Sequence, residues 1–228
     1  MIPIGDENPT VLWPFVTITI ILLNVAVFFY ELSVLAVSPG LEERLVYQFG
    51  VIPATITHHI HGSGNEYYRI LTSMFLHGGF MHIIGNMLYL WIFGNNVEDS
   101  MGHFRFLVFY LLTGILAAGA HIAMQPDSTV PTIGASGAIS GVLGAYLVLY
   151  PQARIRTLIP LFIFFTVTYI PAWFFLIVWI GFQVLSQTVA PVGPTTGGVA
   201  YAAHIGGFIA GAILIFFFRK NRRRSFDY

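Results

Sequence analysis

"PTIGASGAISGVLGAYLVLY", Pro131 to Tyr150, is an apolar run punctuated by glycine. From about Ala135 to Tyr150 it carries no charged side chain, as expected of a helix inside a bilayer. Gly134, Gly137, Gly141 and Gly144 recur at spacings of three, four and three residues, so a helix would line them up as one stripe. Such stripes let membrane helices approach closely. Ser136 stands inside the stripe, and taken alone it reads as part of that packing surface.

The rest of the chain fits the same solvent. Of its 228 residues, 56% are hydrophobic and only 9% are charged. The mean hydropathy is +0.77. These values exclude an ordinary soluble domain and indicate a membrane protein. Cysteine is absent, which excludes disulfides, thiolate zinc sites and a thiol nucleophile. The opening "MIPIGDENPT" has acids and prolines where a signal peptide has lysine or arginine. No cleaved leader and no N-terminal sensing domain are expected.

A bilayer core of about 30 Å needs about 20 apolar residues per helix. Windows of this kind lie at about Phe15–Val37, Phe80–Val97, Phe104–Met124, Ala135–Tyr150, Pro171–Leu185 and Gly198–Phe218. The expected fold class is therefore all-α: a polytopic bundle of six transmembrane helices forming a single membrane domain over residues 1–228. Ile155 to Ile170 is apolar, but Pro160, Pro171 and several β-branched residues argue against a continuous helix. It reads as a buried or interfacial connector, with a seventh span as the alternative.

Lysine and arginine accumulate on the cytoplasmic side of membrane proteins. Six spans with both termini inside place Arg105, Arg154, Arg156, Arg219, Lys220, Arg222, Arg223 and Arg224 in the cytoplasm, leaving Arg44 and Arg69 outside. On this reading residues 38–79 form a long external first loop and residues 219–228 a basic cytoplasmic tail. The membrane would be the plasma membrane if the source is bacterial. The second, fourth and sixth spans then run inward from the outer face, and their first turns share one depth.

Three polar features lie at that depth. Ser136 opens the fourth span. His204, in "AYAAHIGGFIAG", precedes Gly207 and Gly211 on one face of the sixth. An ionisable group inside a span is costly and points to function, although a hydrogen bond to a facing helix is the plainer reading. At about 1.5 Å per residue, the depths of Ser136 and His204 differ by about 6 Å, so a hydrogen bond between them is open. A base beside a serine can take its hydroxyl proton and return it to a leaving amine. In "GGFMHIIGNMLYL", His82 and Asn86 stand at i and i+4 in the second span. They read either as a polar interhelical contact or as donors to an oxyanion beside the Ser136 amide.

In combination, "GASG", "HIGGFIAG", "HIIGN" and "YRILTSMFLHGG" resemble the motifs of rhomboid intramembrane serine proteases, in order and on the corresponding spans. The resemblance covers most of the chain. It implies a six-helix bundle with a Ser136–His204 dyad, no acidic third member, and a water-accessible cavity open to the outer side. It also implies an oxyanion hole lined by His82 and Asn86, with the fifth span and following loop as gate and cap. The substrates would be transmembrane segments of membrane proteins; no cofactor, metal or nucleic acid is implied. Family members often place tryptophan before the loop arginine, where this chain has Tyr68 before Arg69. Some place a tyrosine one turn after the serine, stacked on the histidine; here Ser140 occupies that position.

Other readings compete. A non-proteolytic rhomboid-like chaperone or trafficking factor would bind membrane helices without cutting them. A transporter would place its polar residues around the bilayer midplane. His58, His59 and His61 suit a metal but lack a second cluster, and a solvated loop is the simpler account. His77, His103 and His121 read as structural. Glu98 and Asp99 mark the inner end of the second span. Oligomeric state has no signal in the sequence.

Overall fold

The computed structural model describes residues 1–58, 66–161, 164–189 and 198–220. Strand β1 (Ile2–Asp6) precedes helix α1 (Phe15–Val37). The described residues of the segment read as the first loop form three short helices, α2 (Pro39–Phe49), α3 (Pro53–His58) and α4 (Tyr68–Thr72), and a single 3₁₀ turn at Ser73–Phe75. Then come α5 (Phe80–Met101), α6 (His103–Met124) and α7 (Ser136–Leu149). Strands β2 (Arg154–Leu161) and β3 (Phe164–Pro171) lead into α8 (Ala172–Val189) and α9 (Tyr201–Phe218).

Among the described residues, four helices are long and apolar enough to cross a membrane: α1, α6, α8 and α9. The expected count of six differs from this for two physical reasons. Helix α7 is apolar but only 14 residues long, about 21 Å at the helical rise. Helix α5 has the length, but its far end carries Asn95, Asn96, Glu98 and Asp99.

Those acidic residues do more than end a helix. Pro14, preceding α1, makes no side-chain cap. Glu98 accepts hydrogen bonds from the backbone N–H of Val16 (2.9 Å) and Thr17 (2.8 Å), and from the Thr17 hydroxyl (2.6 Å). Asp99 accepts the Leu12 N–H at 2.9 Å. A carboxylate from α5 thus satisfies α1's orphan donors and its positive dipole end. His103 adds a contact to Glu98 at 2.5 Å.

The all-α expectation needs correcting at the connector. β1, β2 and β3 form an antiparallel sheet in the order β1-β2-β3. β2 pairs with β3 along its length, from Arg154 opposite Pro171 to Leu161 opposite Phe164. β1 pairs only with Ile155–Leu158. Pro160 lies beyond the reach of β1, where among the described residues β2 has a partner on one side only, so a proline fits there. The β-branched residues that oppose a helix favour this ladder. The opening residues are held as well: Asp6 accepts from the Tyr146 hydroxyl at 2.5 Å and from Asn96 at 2.8 Å. Burial raises the Asp6 carboxyl above its ordinary value, and these donors oppose that shift.

Packing at the centre follows the glycine stripe. A methyl group on Gly144 would fall on the Phe208 carbonyl, and on Gly207 or Gly211 it would fall on the carbonyls of Gly137 or Gly141. The backbones of α7 and α9 therefore touch directly. On α6, Thr113 and Ala117 occupy the space beside Gly141 and Gly137. Gly134 leaves the stripe: α7 begins at Ser136, and Gly134 adopts φ +121° outside the helix.

Candidate active site

Ser136 opens α7, where the first N–H groups have no preceding helical carbonyl to bond. His204 lies in the first turn of α9. Because α7 and α9 meet through glycine, the first turns of the two helices bring these side chains together: His204 Nε2 is 2.8 Å from Ser136 Oγ. His204 is buried. Ser140, one turn along α7, donates its hydroxyl to the Ser136 carbonyl at 2.6 Å. It therefore does not replace an aromatic ring on the histidine.

His204 is held from another direction. Gln183 on α8 presents Oε1 to His204 Nδ1 at 2.8 Å. Trp179, one turn earlier, lies 6.1 Å from the imidazole between ring centres at 34°. Tyr201 meets the same ring edge-on at 6.4 Å. The sequence reading missed Gln183. Its signal was an amide in an otherwise apolar helical stretch, where a polar side chain needs a partner.

His82 and Asn86 line the same cavity as Ser136 and His204, with a volume of about 710 Å³. His82 Nδ1 accepts the Gly78 N–H at 3.4 Å. Its Nε2 lies over Gly134, where an added methyl carbon would be only 2.6 Å away. Gly134 is needed there both for its positive φ and for this space. Its N–H donates to the Ser73 carbonyl at 2.8 Å, tying the segment before Ser136 to the first loop.

Asn86 Nδ2 is 3.0 Å from His77 Nε2. His77 Nδ1 is 3.2 Å from the Phe75 carbonyl, so a neutral ring donates through Nδ1 and accepts from Asn86 through Nε2. Asn86 retains a second amide hydrogen. The His77 backbone N–H donates to the Glu31 carboxylate of α1, at 3.1 and 3.2 Å from its two oxygens. Burial lowers the His77 ring to about 4, with the neighbouring His82 adding to the effect. His77 thus does more than the scattered structural histidine expected of it: it fixes Asn86.

The remaining polar motifs hold the periphery. Arg69 is buried and donates to the Glu66 carboxylate and the Tyr47 carbonyl. Tyr68 donates its hydroxyl to the Gln48 carbonyl at 3.0 Å and packs edge-on against Phe49. The "YR" pair therefore pins α4 to α2. His121 contacts the Thr132 hydroxyl at 2.9 Å. His58 pairs with Asp127 at 2.7 Å, while His59 and His61 lie outside the described residues.

A family model described as "Rhomboid domain" matches residues 64–221. Rhomboid protease GluP of Bacillus subtilis is 45% identical over 82 residues, covering 36% of this chain and 16% of that protein. Putative rhomboid protease YdcA of the same organism is 31% identical over 136 residues, covering 60% of this chain and 62% of its own length. Rhomboid protease AarA of Providencia stuartii is 30% identical over 146 residues, covering 58% and 50% respectively. The chain thus spans less than two thirds of the length of each of these relatives. Together with the long apolar helices, the family match makes it an integral multi-pass membrane protein.

Proposed function

This chain belongs to the rhomboid family, and on that premise we propose that it is an intramembrane serine endopeptidase cutting transmembrane segments near the outer face. The observation that carries the reading is the 2.8 Å contact between His204 Nε2 and Ser136 Oγ in a cavity shared with Asn86 and His82. In this proposal α5 and α7 complete six spans, with both termini cytoplasmic and residues 38–79 outside. The substrate helix enters past α8 and unwinds beside Ser136.

His204 takes the Ser136 hydroxyl proton as Oγ attacks the peptide carbonyl. The second amide hydrogen of Asn86, the His82 ring and the Ser136 backbone N–H face the developing oxyanion. His204 then gives its proton to the leaving amine as the C–N bond breaks. Water, deprotonated by the same nitrogen, hydrolyses the acyl-enzyme and restores Ser136. A site at the first turns of α5, α7 and α9 puts this chemistry close to the water it consumes.

The test uses the full chain in detergent with a transmembrane substrate and a fluorophosphonate probe. Ser136→Ala should abolish both cleavage and labelling. Asn86→Ala should lower cleavage on the order of 10²-fold, as expected for a lost oxyanion donor. Wild-type cleavage by both Ser136→Ala and His204→Ala would overturn the dyad. Wild-type protein that binds membrane helices without cutting them would favour the non-proteolytic reading.

A further inference from the structure

A histidine that accepts a serine proton through Nε2 must carry its own proton on Nδ1. The neutral ring otherwise divides between two tautomers, of which one cannot act as the base. In this chain the Nδ1 side faces Gln183 Oε1, a carbonyl oxygen that can only accept a hydrogen bond. Trp179 lies four residues before Gln183 on the same face of α8 and bears on the same imidazole. Two side chains of one helix therefore set both the proton and the plane of the ring. Ser140, occupied with the Ser136 carbonyl, contributes to neither.

We propose that Gln183 is the positioning residue for His204, holding its proton on Nδ1 so that Nε2 stays bare toward Ser136. The proposal rests on the dyad reading above and assigns the orientation of its base to α8. It gives His204 a neutral third partner where the family resemblance implies a dyad alone. Because that partner sits on α8, the position of α8 and the readiness of His204 are linked.

Two variants of the full chain in detergent micelles test this. Gln183→Met keeps the side chain's length and removes the acceptor. Gln183→Glu keeps an acceptor oxygen, and wild type is the reference. Ring-¹⁵N-labelled histidine, with the His204 signals identified by their loss in His204→Ala, should report Nδ1–H in wild type and Gln183→Glu. In Gln183→Met it should report a tautomer mixture. Ser136 labelling and kcat should fall about tenfold in Gln183→Met, the size of one hydrogen bond's net contribution, with KM unchanged. Gln183→Glu should recover most of that loss. An unchanged His204 tautomer in Gln183→Met that unfolds at the wild-type temperature overturns the proposal, as does labelling at the wild-type rate. The tautomer measurement needs no cleavage, so it stands or falls separately from the protease reading, which Ser136→Ala decides.

Discussion

Gly211 and Gly181 both lie within apolar helices, and the same methyl group added to each would meet opposite surroundings. On Gly211 of α9 it would fall on the Gly141 carbonyl of α7. On Gly181 of α8 it would meet nothing within 4 Å among the described residues. In α8, 17% of the span is buried, against 39% in α6 and 33% in α9. Backbone-to-backbone contact joins α7 to α9, and α6 packs on them through the small side chains of Thr113, Ala117 and Ala120, whereas α8 reaches α9 through the larger side chains of Trp179 and Gln183. The candidate site straddles this difference. Ser136 and His204 are brought together by the close-packed unit, Asn86 is fixed by His77 of the first loop, and His204 is oriented by α8.

The sharpest way to break this contrast is Gly211→Ala. A backbone carbonyl cannot swing aside as a side-chain tip can, so stability should fall by about 3 kcal/mol, at the top of the usual range for overpacking. The melting temperature in detergent measures it, and an unchanged value would mean that α7 and α9 do not touch as described. Substitution of Gly207, which faces the Gly137 carbonyl, should behave alike.

An intermediate effect is expected from acid at the loop side of the site. The His77 ring titrates at about 4 when folded, against 6.5 when free. The unfolded chain therefore binds this proton first, and stability is lost as pH falls from about 6.5 toward 4, with none of the loss present above 6.5. The cost should reach on the order of 2 kcal/mol by pH 5. In His77→Gln, which cannot titrate, the melting temperature should fall less between pH 7 and pH 5 than in wild type; an equal acid loss in that variant would assign the effect elsewhere.

The smallest effect carries the opposite sign. Gly181→Ala should raise stability by about 0.5–1 kcal/mol, because alanine loses less backbone freedom in a helix interior and meets no obstacle here. A loss at Gly181 comparable to that at Gly211 would show that α8 packs as tightly as α9 and erase the distinction between them.

Composition and periodicity were enough to place this chain in a bilayer and to read the glycine stripe, since both follow from the solvent each residue tolerates and from the helical repeat. They were also enough to single out Ser136, His204, His82 and Asn86 as polar groups at one depth. Spacing alone puts Gly134 in the stripe, because it cannot tell a loop residue from the first turn of a helix. The hairpin of β2 and β3 was not legible as a sheet, because short apolar runs suit helix and strand alike and the third strand comes from the far end of the chain. The same limit hid Gln183, His77 and Glu98. Each is an ordinary polar residue whose meaning lies in a partner 21, 9 or 82 positions away. Local patterning determines what a residue can do in its own helix; only tertiary packing decides whose proton it holds, because hydrogen bonds depend on ångström distances between segments that the order of residues does not record.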